Sequence, residues 1–509
     1  MKFIQILFIS FTLVNISFSQ NLSKKMMDES VYAKWNTVQS PKISNNGEWV
    51  VYQLKPGEGD MKLKFFNSVS KKEYTFERGE NAKITDDSKY IIFKITASAD
   101  SVKMMKRNKV RKKDMPKDTL GIYNLATHSL IKIPNVKSFK VPEKWNGHIA
   151  YLKEKQVFTK GDTISIKPKK KETYDNGTRL TIRTLESGEE QMFTFVKNYT
   201  LSEEGGKMLF SSTGNDSTFS EGIYCYDFFQ KELKTLYKEK GEYKFLTFDE
   251  KGNQAAFLSN VDSTDLRVAP FQLYYWNGKS DTANMVFNNT NTLLNENWIV
   301  SKNRRLFFSG NGNRLFFGVA PPPILQDTSL LQEEIVQVEV WSYTDKKLYT
   351  RQESDLKRDK NKSYLTVYDI PSHSFYQLAN LKVDDIGLGD EGNANMIVGF
   401  NSKPYLERTS WEGWPSYKDL YVKNLEGGGW EQIAKEVRGN PQMSPKGNYI
   451  YWHSPRDTAW FTYSFLNKKT TQISNNKISK FYDELNDRPM HPRNTGMAGW
   501  TTDDKYLLL

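Results

Sequence analysis

A nine-residue pattern recurs along the chain and restricts it to a repeat architecture. Ser44-Asn-Asn-Gly-Glu-Trp-Val-Val-Tyr52 has the same form as Thr85-Asp-Asp-Ser-Lys-Tyr-Ile-Ile-Phe93 and Ser202-Glu-Glu-Gly-Gly-Lys-Met-Leu-Phe210. Ser309-Gly-Asn-Gly-Asn-Arg-Leu-Phe-Phe317 and Ser444-Pro-Lys-Gly-Asn-Tyr-Ile-Tyr-Trp452 repeat it again. Each copy is a Ser/Thr-led polar turn, usually with Gly fourth, followed by an apolar strand ending on an aromatic residue. Weaker copies begin at Glu143, Asp249 and Gly389, and a last one at Thr501. The intervals run 41, 58, 59, 47, 60, 80, 55 and 57 residues. Periods of that size belong to propellers and arrays.

Each unit carries a second hairpin downstream, for example Gly121–Ile133, Leu365–Leu378 and Phe461–Ile473. Two hairpins make a four-stranded sheet. One such sheet cannot bury both faces alone, but sheets stacked around an axis can. The pattern therefore predicts an all-β fold, a β-propeller of seven or eight four-stranded blades, over residues 41–509. A parallel β-helix is the alternative, and its coils are far shorter than these intervals. In the turn, Ser, Asn and Asp satisfy backbone groups and Gly supplies φ > 0.

Other segments depart from the repeat. Residues 1–19 have Lys2, an apolar run from Phe3 to Ile16, and small Ser17 and Ser19. That is the form of a secretory signal peptide with cleavage before Gln20. Export to a periplasmic or extracellular space follows, and no later apolar run is long enough to span a membrane. Residues 20–40 form an N-terminal segment in which Met27, Val31 and Trp35 fall at i, i+4, i+8, predicting a short helix over Met26–Val38. Lys103–Lys117 holds eight basic residues against Asp114, and Lys167, Lys169, Lys170 and Lys171 cluster similarly. Both are expected as solvated loop insertions. The longest interval contains an insertion from Pro321 to Asn361.

Residue counts exclude several chemistries. Lys+Arg 72 against Asp+Glu 60 gives +12 over 509 residues, too small a surplus to imply nucleic acid. The single Cys225 excludes an intramolecular disulfide and any cysteine-based zinc or iron–sulfur site. There is no Gly-x-Ser-x-Gly, His-Glu-x-x-His, P-loop or Rossmann glycine pattern, so no catalytic residue, cofactor or metal ligand is assigned. His128 and His373 occupy the same turn position in different units, beside Thr127 and Ser372, which reads as turn chemistry. Glu333 and Glu334 form a paired carboxylate able to hold a substrate's amino terminus. Trp411, Trp414 and Tyr417 offer either an aromatic platform for sugar or peptide, or packing between blades.

The repeated turn-and-strand units, with Tyr-x-x-Asp/Asn-Leu hairpins, resemble the propeller of the prolyl oligopeptidase family. The nearest type is the exported bacterial dipeptidyl-aminopeptidase/acylaminoacyl-peptidase-like group. Val31–Tyr52 resembles the family's lead into its first blade, and Arg488–Arg493 with Gly499–Tyr506 a late propeller segment. The resemblance spans about residues 30–509. It implies a non-catalytic propeller that gates peptide substrates for a serine peptidase, with Glu333 and Glu334 as the substrate-binding pair. In the family an α/β-hydrolase domain follows with Ser, Asp and His. This chain stops at Leu509 before any such domain, so it is expected to be truncated, split or a fragment, and inactive alone. The strand from Tyr506 to Leu509 is expected to lack a partner hairpin. The rival expectation is a stand-alone periplasmic propeller binding a protein or glycan partner.

Overall fold

The recurring polar turn has one geometry at seven places among the described residues. In each, the first residue's side-chain oxygen accepts the backbone N–H five residues on. The distances are 3.0 Å for Ser44 with Trp49, 3.0 Å for Thr85 with Tyr90 and 2.9 Å for Ser202 with Lys207. Asp249 with Gln254, Ser309 with Arg314, Ser444 with Tyr449 and Thr501 with Tyr506 give 2.7, 3.1, 3.0 and 3.0 Å. The fourth residue has positive φ every time, from Gly47 at 72° to Gly447 at 74°. Ser88 and Asp504 hold it at 57° and 58° where glycine is missing. A short polar side chain thus completes a turn that a left-handed residue reverses.

The computed structural model describes residues 28–155, 176–214, 220–261, 271–288 and 298–509, apart from 326, 328, 337 and 339. The expected signal peptide, Met27 and the Lys167–Lys171 cluster lie outside those residues. The chain divides into two units: one of residues up to Ala82 with Phe93–Pro116, the other of Lys83–Ile92 with Lys117–Leu509. No helix among the described residues is long and apolar enough to cross a membrane.

The protein is mostly β, and the strands form successive antiparallel meanders. The first sheet runs Asn36–Ile43, Trp49–Pro56, Lys62–Asn67, Glu73–Glu77. In the second unit Thr119–Asn124 pairs with Leu130–Ile133. Later four-stranded sheets start at Glu242, Asp385 and Gln442, and a five-stranded sheet surrounds Arg314–Ala320. The first sheet and the later sheets pair antiparallel among the described residues, which sets the β-helix alternative aside.

Two units expected to be separate sheets instead form one of seven strands, from Val136–Lys140 to Glu232–Tyr237. The cause is the 12-residue strand Glu190–Leu201. Its first half pairs with Thr178–Thr184 and its second with Lys207–Thr213, the change falling at Phe195, whose φ is 57°. The N-terminal helix also differs. Helix α1 is only Glu29–Tyr32, because strand pairing takes over from Asn36, and Tyr32 and Trp35 are exposed. The Lys103–Lys117 segment is solvated as expected but begins with a helix, α2 (Ala99–Arg107), with no buried residue. The strand after Thr501 is not unpartnered: Leu507–Leu508 pairs with Gly499–Trp500, and Trp500 stacks on Tyr449 at 5.5 Å.

The second strand of a meander is commonly buried on both faces, as in Lys207–Thr213, Ala255–Asn260 and Arg314–Ala320. Such strands read as unbroken apolar runs because neither side meets water. Outer strands such as Lys469–Gln472 are exposed throughout. Aromatic residues fill the space between neighbouring strands: Phe257 stacks on Tyr274 at 5.3 Å and Tyr368 on Phe375 at 4.6 Å.

Within the second unit, the turns from Glu143 onward also bond each to the next. Trp145 donates to the Ser202 carbonyl at 3.1 Å, and the Glu204 amide to the Glu250 carbonyl at 2.9 Å. Gln254 donates to the Gly312 carbonyl at 3.0 Å. The buried Arg314 guanidinium spans the carbonyls of Gly392, Asn393 and Ala394 at 2.8–3.1 Å. The Asp390 amide donates to the Pro445 carbonyl at 2.8 Å. Asp504, itself buried, accepts from Ser444 Oγ at 2.6 Å and the Lys446 amide at 2.9 Å. The backbones come close enough to demand glycine: a Cβ on Gly389 would lie 2.7 Å from the Gly447 Cα.

His453, on the strand Tyr449–Ser454, is buried against Trp460 with no partner for Nε2 among the described residues. Burial pushes its pKa down to about 4. The fold therefore favours the neutral ring. Its contribution is fully present above the unfolded value, about 6.5, and is lost as the pH falls towards 4. Thermal melts should show a steeper drop across that window for the native chain than for His453→Gln; parallel curves would contradict this.

Candidate functional site

Two short helices of the second unit enclose a cleft. Helix α3 (Tyr349–Lys360) lies in the long insertion, and its buried side chain is an acid, Asp355, rather than an apolar residue. Asp355 is 6% exposed and receives Lys347 Nζ at 3.2 Å, Arg351 Nε at 3.0 Å and Arg358 Nη2 at 2.7 Å. Burial opposes ionisation of this carboxyl, but the Lys347 hydrogen bond and the Arg358 and Arg351 charges outweigh it and hold its pKa below the usual range. Charge thus replaces apolar packing as the tie for this helix.

Helix α4 (Leu406–Glu412) forms another wall. Its Arg408 lies 4.0 Å above the Tyr417 ring and donates to Glu412 at 2.8 Å. The Tyr417 hydroxyl donates to Glu412 at 2.8 Å, and the buried Arg438 reaches the same carboxylate at 3.2 Å. At the base, Asp384 binds Lys403 at 3.0 Å and also Lys362. Arg304 donates from Nε to the Ser363 hydroxyl at 3.2 Å and from Nη2 to its carbonyl at 3.0 Å. The space between has a volume of about 810 Å³, and Trp414, 62% exposed, lines one side.

The sequence-predicted residues are not brought together there. Glu333 and Glu334 sit in an exposed 3₁₀ turn, Gln332–Glu334, where Glu334 Oε2 accepts the Leu331 amide at 2.7 Å. They do not line the cleft. Trp411 is 82% exposed and Trp414 also faces out, whereas Tyr417 is buried, so the three do not form a single platform. His128 and His373 do share one role: each has positive φ, and its Nδ1 meets the hydroxyl of the tyrosine five residues earlier, Tyr123 at 3.1 Å and Tyr368 at 2.7 Å. Sequence reasoning missed the cleft. The Arg351, Asp355, Arg358 spacing was a visible signal for one ion cluster, but Lys347 and the Asp384 cluster are joined only by folding.

No family model and no curated protein matches the chain. Solved structures with similar folds include the β-propeller domain of the trilobed protease from Pyrococcus furiosus, at 12% identity and TM-score 0.32, covering 79% of this chain and 99% of that one. The Pyrococcus horikoshii acylaminoacyl peptidase is similar at 12% identity and TM-score 0.33, over 86% of this chain and 60% of that one. A eukaryotic initiation factor is similar at 8% identity and TM-score 0.43, over 86% and 88%.

Asp355→Asn removes the anion that three cations share. Amide exchange over 349–360 should then accelerate by about tenfold near pH 6, as local opening becomes easier. The carboxylate's contribution is present above the unfolded value near 3.9 and lost as pH falls through the lower folded value, so the two proteins should converge at acid pH. Equal exchange at pH 6 would show that other contacts hold the helix.

Proposed function

We propose that this chain is a β-propeller of seven or eight blades that gates peptide substrates for an exported serine peptidase of the prolyl-oligopeptidase type, without catalysing hydrolysis itself. The observation that carries this reading is the series of turn-to-turn bonds that runs from Trp145 to Asp504 within the second unit. Repeated meanders so linked can bury both faces of their inner strands, as propeller blades do. The quoted sequence resemblance supports the family, and the N-terminal leader supports export. In this reading Glu334 is spent on its own turn, and Glu333 offers the carboxylate for a substrate's ammonium group.

The direct test is the coding sequence that follows codon 509. An open frame continuing into Gly-x-Ser-x-Gly is expected, and an unrelated gene there would overturn the linkage to a peptidase. Two protein measurements accompany it. The exported protein should begin at Gln20 and fractionate with the cell envelope. The purified chain should neither turn over dipeptidyl or acylaminoacyl reporters nor be labelled by a serine-reactive phosphonate.

A further inference from the structure

We propose that the cleft between α3 and α4 binds an acidic peptide segment, a role independent of the gating reading. The cleft is lined by six basic side chains against three acidic ones. The acids are already paired: Asp355 and Asp384, 6% and 10% exposed, hold five of those cations between them, and Asp359, 49% exposed, pairs with Lys347 at 3.1 Å and Arg358 at 3.7 Å. A ligand therefore meets the outer edges of the cations, chiefly Arg358 at 64% and Lys403 at 44% exposure.

Arg304 adds a specific acceptor need. Its guanidinium spends two bonds on Ser363, and no carboxylate of the described residues lies within ion-pair distance. Asp385 interacts with it only at longer range, while burial weakens its hold on the proton. A carboxylate entering the cleft can take the remaining guanidinium N–H groups in a charge-assisted pair.

The cations form two groups, one around Asp355 and one around Asp384 with Arg304. A single small anion satisfies one group only. Side-chain carboxylates spaced along a peptide reach both, and Leu348, Leu406 and Trp414 provide apolar walls for its methylenes. These features favour an acidic peptide over a compact anion.

The experiment is fluorescence anisotropy of labelled hexaglutamate with the full chain, alongside hexalysine and a neutral Gly-Ser peptide. Hexaglutamate alone should bind, with affinity falling as salt rises. The double variant Arg358→Gln/Lys403→Gln, both positions exposed, should weaken it by about tenfold or more. Arg304→Gln should weaken it further, provided its circular dichroism matches the native chain. Lys103→Gln/Lys106→Gln on α2 should leave binding unchanged. Equal losses from the α2 and cleft variants would mean diffuse charge attraction and overturn the proposal. So would an absence of hexaglutamate binding, or tighter binding of an acidic oligosaccharide through the same residues.

Discussion

A serine or threonine hydroxyl, or once an aspartate carboxylate, accepting the amide five residues on is the interaction from which the architecture builds. It fixes the turn, the turn sets where the following strand begins, and that strand is commonly buried on both faces. A buried hydrogen bond of this kind contributes about 1 kcal/mol net, but leaving the amide without a partner costs more. The positive φ at the fourth residue makes glycine the natural choice there, and Ser88 and Asp504 show that the turn survives without it. Asp504 has a reason to be there: its carboxylate reaches back to Ser444, Lys446 and Asn448.

The same turns then serve a second purpose. Their outward carbonyls are acceptors for the neighbouring unit, so Arg314 can be buried with its charge spread over three backbone oxygens. The cleft works differently. Helix α3 is held by a buried acid among cations rather than by apolar side chains. An insertion fixed in this way suits a ligand-binding wall better than a core element.

Much of the fold was legible because its signal is local. The Ser-x-x-Gly turn and the apolar run after it lie within nine residues, and the equivalence of His128 and His373 lies within six. What was illegible depends on pairing at a distance. Nothing in Glu190–Leu201 marks it as shared by two meanders except its length, and the pairing of Gly499–Trp500 with Leu507–Leu508 was hidden by how short those strands are. The α1 expectation failed because an apolar period of four was overridden by strand pairing from Asn36. The cleft stayed hidden because Lys347, Asp384 and Lys403 meet only after folding, while the Glu333–Glu334 pair that sequence favoured is a surface turn.

The account rests most directly on the bond between successive turns, and a double-mutant cycle at Ser444 and Asp504 measures it. Urea unfolding of Ser444→Ala, Asp504→Ala and the double variant gives the coupling. A contact of this kind predicts an interaction energy of about 0.5–3 kcal/mol, the double variant losing clearly less than the sum of the singles. Additivity within about 0.3 kcal/mol would contradict the claim that each turn braces the next.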